Sequence, residues 1–178
     1  MIDLPFQSFP KLKTDRLLLR RLKMPDAKEI YLLRADDRVN QFIDRPKAVH
    51  IDDAFQYIEK IDNGVNAGEW VYWAIQLRGK SKLIGTICLW NIEKNEFKAE
   101  IGYELMPEHQ GKGIMREAVQ AVLQFAFNKL QLRSIEAVSR PANYRSIKLL
   151  EEFGFIRDNS VAASTADTNI ITYTVQQG

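Results

Sequence analysis

Nothing in this sequence limits its fold more than the stretch from residue 71 to residue 130, where three strand-like runs lead straight into a long amphipathic helix. The runs cover residues 71–77, 82–92 and 98–106, and the polar turns Arg78-Gly79-Lys80-Ser81 and Glu93-Lys94-Asn95-Glu96 separate them as in an antiparallel meander. In the helix, residues 114–130, the side chains Ile114, Ala118, Val119, Val122, Leu123, Ala126 and Leu130 recur with a helical period and form one apolar stripe. A sheet face and a helix stripe that both need covering pack on each other, which predicts a mixed α/β (α+β) fold with helices flanking a largely antiparallel central sheet.

The remaining pattern fits that layering. Residues 14–22 alternate roughly and read as an opening strand after the loosely structured segment 5–10. Pro25-Asp26 starts a helix carrying Ala27, Ile30, Tyr31 and Leu33 on one face, and a short helix follows with Ala54, Phe55, Ile58 and Ile61, acidic at its start through Asp52 and Asp53 and closed by residues 63–68. Beyond the meander and its helix come a strand at 134–139, a helix at 144–153 and a closing hairpin of 155–161 with 169–175. No repeat or linker divides the chain, and 46% apolar with 27% charged residues is an ordinary globular balance, so residues 1–178 read as one domain, a monomer or a homodimer.

A net charge of +2 from scattered basic residues gives no field that would hold a nucleic acid or an anionic membrane, so neither is an expected partner. No run of about 18 apolar residues occurs, and the first residues lack a basic region followed by an apolar one, so the expected location is cytoplasmic. The single cysteine, Cys88, sits in an apolar run and reads as a buried structural thiol. His50 and His109 have no neighbour at ligand spacing, and no metal is expected. Gly79-Lys80-Ser81 lacks the earlier glycine and the following helix of a phosphate loop, and reads as a hairpin turn.

Chemistry concentrates at Met106-Pro107-Glu108-His109-Gln110-Gly111-Lys112-Gly113-Ile114-Met115, between a strand and the long helix. A helix start offers unpaired N–H groups and partial positive charge, and glycines let an anion approach the backbone closely. Taken alone, the segment could equally be a strand-to-helix turn that needs glycine. Downstream lies a second informative segment, Asn143-Tyr144-Arg145-Ser146 through Phe153-Gly154-Phe155, a helix following a strand.

Together these segments resemble the GCN5-related N-acetyltransferase (GNAT) superfamily, whose pyrophosphate motif is Gln/Arg-x-x-Gly-x-Gly/Ala. Gln110 and Gly113 match it, while Met115 stands where Gly or Ala is usual. Gly111-Lys112-Gly113-Ile114-Met115, the opening Thr14-Asp15-Arg16-Leu17-Leu18-Leu19-Arg20 and the pair Asn143 and Ser146 are similar to the bacterial ribosomal-protein N-terminal acetyltransferases within it. The resemblance spans roughly residues 12–175. It implies a GNAT-like twisted sheet and acetyl-CoA as co-substrate, bound by Gln110, Gly111, Lys112, Gly113, Ile114, Met115, Asn143 and Ser146, with a backbone N–H near Leu105 or Met106 facing the thioester carbonyl.

The wider superfamily often carries a tyrosine seven residues after the matching asparagine to protonate the departing thiolate, and that position is Leu150 here. By resemblance to the ribosomal-protein subset, Ser146 takes the task or donates a hydrogen bond to the sulfur, and Asn143 contacts the pantetheine arm or the thioester. Read alone, both are equally good helix-start residues. For the acceptor amine, Glu100 and Glu104 share a strand face and either could take its proton, with Glu136 a third candidate; each could instead be an ordinary surface carboxylate. Neutralising a lysine at pH 7 costs roughly 4.6 kcal/mol against about 1 kcal/mol for an α-amine. A weakly equipped base thus favours an α-amine, and by resemblance the expected acceptor is a peptide or protein N-terminus, with a small amine such as a polyamine or antibiotic second, and a non-catalytic acyl-CoA-binding module the reading from another class.

Overall fold

The computed structural model describes residues 4–158 and 170–178. The first elements are β1 (Leu12–Lys13), β2 (Leu17–Arg21), a tight turn of 3-10 helix at Met24–Asp26 and α1 (Ala27–Ala35), then α2 (Asp37–Asn40) and α3 (Ile51–Ala67). The meander is β3 (Val71–Leu77), β4 (Leu83–Glu93) and β5 (Lys98–Leu105). After it come α4 (Ile114–Asn128), β6 (Ser134–Ser139), α5 (Tyr144–Glu152), β7 (Ile156–Arg157) and β8 (Ile171–Gln176). Among the described residues these strands form one eight-stranded sheet in the order β1-β2-β3-β4-β5-β6-β8-β7. Every pairing is antiparallel except that of β5 with β6, so the expected mixed, largely antiparallel architecture is the observed one.

Each sheet face has its own core. On one, Trp73, Ile75, Ile87, Leu89 and Ile101 pack under the stripe of α4, with Leu150 of α5 fully buried beside them. On the other, Ile30 and Leu33 of α1 and Ala54, Ile58 and Ile61 of α3 cover Tyr72, Ala74 and Met106.

Several boundaries differ from expectation for identifiable reasons. The opening strand is split, because Thr14 folds back on Leu17: its N–H donates to Leu17 O at 3.0 Å and its Oγ1 accepts from Leu17 N at 2.9 Å. The second helix is not short. Gly64 continues it because the Trp70 ring lies over that position, where an added Cβ would sit 1.9 Å from Trp70 Cζ2, and termination waits for Gly68 at φ 72°. Trp70 lies just before β3, and its Nε1 donates to Ile61 O at 2.9 Å. The closing hairpin is present as β7 paired with β8 over Ile156↔Thr174 and Arg157↔Tyr173, and the rest of its predicted first strand lies outside the described residues.

Candidate active site

The parallel ladder between β5 and β6 runs through Lys98↔Ser134, Ala99↔Ile135 and Glu100↔Glu136 and then stops, although β5 continues to Leu105 and β6 to Ser139. Past Glu100 two strand edges face each other unbonded. Met106 N–H donates to Ile84 O at 2.9 Å, so Met106 and Ile84 form a bonded pair. The neighbouring position, Leu105 opposite Gly85, is by alternation unbonded to β4, and its N–H and C=O turn toward the gap. Gln110 Nε2 holds that carbonyl at 2.9 Å. Of the two backbone positions expected to serve the thioester, Leu105 has its amide aimed into the gap, while that of Met106 is committed to the sheet.

The loop after β5 presents backbone, not side chains. Gly111 and Gly113 both adopt φ 73°, a left-handed conformation that strains any residue with a Cβ, and Gly113 is the N-cap of α4 with no side chain capping the first turn. Ile114 is buried and Met115 packs against the core beneath α4, which accommodates the departure from Gly or Ala at that position. An added Cβ would meet nothing within 4 Å at Gly111 and only Arg16 Nη2, at 3.4 Å, at Gly113. This open, amide-lined helix start fits a pyrophosphate. It is anchored from β2's side: Glu117, in the first turn of α4, accepts from Thr14 Oγ1, from Arg16 N at 2.8 Å and from Arg16 Nε at 2.6 Å, and Arg16 Nη1 donates to Lys112 O at 2.9 Å. Burial opposes the charge on Glu117, but these bonds outweigh it and hold its carboxyl below the usual range.

Across the gap, α5 begins with Asn143 accepting from Ser146 N at 3.3 Å, the N-cap arrangement. Ser146 Oγ lies 2.9 Å from the Tyr103 hydroxyl of β5, and Arg145 Nη1 donates to Gln110 Oε1 at 3.1 Å, so two polar links bridge the opening. Leu150 is fully buried and takes no part. Tyr103 went unnoticed in the sequence because an alternating strand offers no signal for a partner in a helix beginning some forty residues later.

Glu104 is on the opposite face of the sheet. It is buried, with Oε1 accepting from Thr86 at 3.2 Å and Oε2 paired with Arg45 Nη2 at 2.5 Å. Tyr72 donates to Thr86 at 3.0 Å and its oxygen lies 2.9 Å from that of Tyr57, so a line of hydroxyls runs from Glu104 toward α3. Tyr57 borders a cavity of about 650 Å³ that Arg34, Val49, His50 and Lys60 also line. Desolvation, with the Glu104 charge adding, pushes Tyr57 up to about 12, and the same two causes push Cys88 up to about 12. Glu100 accepts from Asn91 Nδ2 at 3.0 Å, and burial raises its pKa, with Glu136 adding. It lies some five strand residues from Leu105, about 17 Å at roughly 3.4 Å per residue, where β5 and β6 are still paired. Glu136 is bound to Lys98 at 3.2 Å. Glu100 and Glu136 are thus neighbours across the paired part of β5 and β6, away from the gap, and Glu104 is the candidate carboxylate beside Leu105.

The family model for the acetyltransferase (GNAT) domain matches residues 16–156. The chain belongs to that family. As a GNAT enzyme it is an acetyl-CoA-dependent N-acetyltransferase, and relatives carry the same activity in their names. It is 33% identical over 150 residues to the Uncharacterized N-acetyltransferase YoaA of Bacillus subtilis (strain 168), covering 84% of this chain and 85% of that one. With the [Ribosomal protein uS5]-alanine N-acetyltransferase of Escherichia coli (strain K12) it shares 27% identity over 156 residues, 83% of this chain and 79% of the relative. The solved structure of spermidine N-acetyltransferase from Vibrio cholerae, in complex with CoA and spermine, shares the GNAT fold at a TM-score of 0.79 and 22% identity, over 92% of this chain and 97% of that one. Among the described residues of this GNAT chain, no helix is long and apolar enough to cross a membrane and no three His, Cys, Asp or Glu side chains group to hold a metal.

Proposed function

We propose that the chain acetylates the N-terminal α-amine of a peptide or protein by direct attack on the thioester. Acetyl-CoA lies in the gap, its pyrophosphate on the amides of Gly111 through Met115 with Gln110 and Lys112 beside it, and its pantetheine arm along Asn143. Leu105 N–H donates to the carbonyl oxygen as charge grows there, and Ser146 stands at the sulfur. The acceptor enters from the α1 and α3 face, beside Glu104.

The observation that carries the choice of acceptor is the state of Glu104. Oε1 accepts from Thr86 and Oε2 is ion-paired with Arg45 at 2.5 Å, so the carboxylate next to Leu105 is already committed. An α-amine with pKa about 7.8 presents a useful neutral fraction near neutral pH, whereas a lysine or polyamine near 10.4 does not. The relative named for the alanine of a ribosomal protein supports the same reading.

The test is a panel of amines incubated with acetyl-CoA, read by free thiol and by mass. A peptide with a free N-terminus should be acetylated at that position and should outcompete its N-blocked, lysine-bearing counterpart and spermidine. Preference for either of the latter would reject the α-amine assignment.

A further inference from the structure

We propose that Tyr103 supplies the proton that reaches the departing CoA sulfur, acting through Ser146 as the residue that positions this serine and restores its hydrogen. The inference deepens the reading of Ser146 as the group beside the sulfur and rests on it.

Three placements point to this pairing. Tyr103 is two residues before Leu105 on β5, so its side chain lies close to the amide aimed at the thioester and, sharing the side-chain parity of Ile101 and Leu105, on the α4 and α5 side of the sheet. Its hydroxyl crosses the opening to Ser146 Oγ at 2.9 Å, the direct link between the strand that holds the carbonyl and the helix that borders the sulfur. Leu150, the position where the wider superfamily often carries a tyrosine, is sunk in the core, so that position brings no phenol to this place.

The chemistry explains why the serine needs a partner. A serine hydroxyl is a far weaker acid than a phenol, and a serine that gave up its proton alone would be left as an alkoxide in a partly buried site. With Tyr103 in contact, the two transfers run together. The amine nitrogen bonds to the carbonyl carbon, the C–S electron pair passes to sulfur, sulfur takes the proton of Ser146, and Ser146 takes that of Tyr103. The tyrosine oxygen recovers a proton from water, and the proton lost by the amine leaves to water on the Glu104 side, so the exchange balances. Burial pushes Tyr103 up to about 12, against the pull of its bond to Ser146, so it keeps its proton through the working range.

The test compares the parent with Tyr103→Phe, Ser146→Ala and the double variant, using whichever panel amine the parent acetylates fastest. An error in the α-amine assignment then changes the amine but leaves the ratios readable. Tyr103→Phe should lower kcat by at least about tenfold, with KM for acetyl-CoA within about threefold. The double variant should be no more than about twofold slower than Ser146→Ala, because both changes interrupt one path. Replacing Tyr103 by 3-fluorotyrosine, a more acidic phenol of nearly the same shape, should bring into the kcat profile a high-pH fall at lower pH than any in the parent, and this serves if the phenylalanine variant folds poorly. Parental kcat in Tyr103→Phe or in Ser146→Ala, losses that multiply in the double variant, an effect confined to KM, or an unmoved pH profile would each overturn the proposal.

Discussion

Glu104 and Arg45 hold their places by a pairing that cannot be halved cheaply. Their side chains are 6% and 14% exposed and 2.5 Å apart, and Arg45 Nε is anchored by Asn40 Oδ1 at 2.7 Å. Glu104→Gln strands a guanidinium in this setting, which typically costs about 3 kcal/mol or more. For a chain of this size that is a fall in Tm of about 6–12 °C. The double change Arg45→Met with Glu104→Leu should recover most of the loss in a thermal melt, because it removes the unpaired charge. A fall of under about 2 °C for the single variant would mean that water already screens the pair. At pH 9, where an α-amine is largely neutral, the folded Glu104→Gln protein should acetylate a peptide within about tenfold of the parent. In the sequence, Gln110, Gly113, Asn143 and Ser146 were legible because motif spacing fixes them locally. Arg45 and Tyr103 were not, and Arg16 stood in the opening motif without a sign of its partner, since each meets that partner only when distant segments meet.

The helix start that we propose for the pyrophosphate is fixed by an element far from it in sequence. The turn before β2 ties Thr14 and Arg16 to Glu117, and Arg16 also to the Lys112 carbonyl, so the opening segment steadies the cradle loop. Glu117→Gln should raise Kd for CoA by about fivefold while leaving that for pantetheine, which has no pyrophosphate, within about twofold. Titration calorimetry separates these outcomes, and equal losses for both ligands would show general loosening instead. The carboxyl is held below its ordinary value when folded, so its contribution to stability is fully present above the usual glutamate pKa of about 4.3 and is lost as pH falls through the lowered folded value. The stability gap between parent and variant, from denaturant titrations, should therefore stay level from pH 8 to about 5 and narrow only below that. Element types were readable because long periodic runs such as α4 state their own geometry. The length of α3 was not, because Gly64 reads as a breaker until Trp70 is placed over it, and the split between β1 and β2 depends on a hydroxyl folding back on its own strand.

At the scale of the whole molecule, the sheet is a partition that opens where β5 and β6 part. Gly113, Ser146 and Tyr103 belong to the side covered by α4 and α5, and Glu104, Thr86 and Cys88 to the side covered by α1 and α3. The sequence predicted the layers but not the opening, because residues 98–106 look like any strand, and the place where β5 stops pairing with β6 depends on long-range contacts. If donor and acceptor reach the gap from opposite faces, both can be present at once, and the acetyl group can pass between them without resting on the protein. A covalent route through a thioester on the protein would need a thiol at the gap, and the chain's one thiol is Cys88. Desolvation and the neighbouring Glu104 push that thiol up to about 12, so almost none of it is thiolate at neutral pH. Initial-velocity plots against the two substrates should accordingly give intersecting lines, the signature of a ternary complex, and Cys88→Ala should keep kcat within about threefold of the parent, far from the losses that follow removal of a nucleophile. Parallel lines together with an inactive, folded Cys88→Ala protein would place the acetyl group on the sulfur between two half-reactions, and the two faces would then serve in turn.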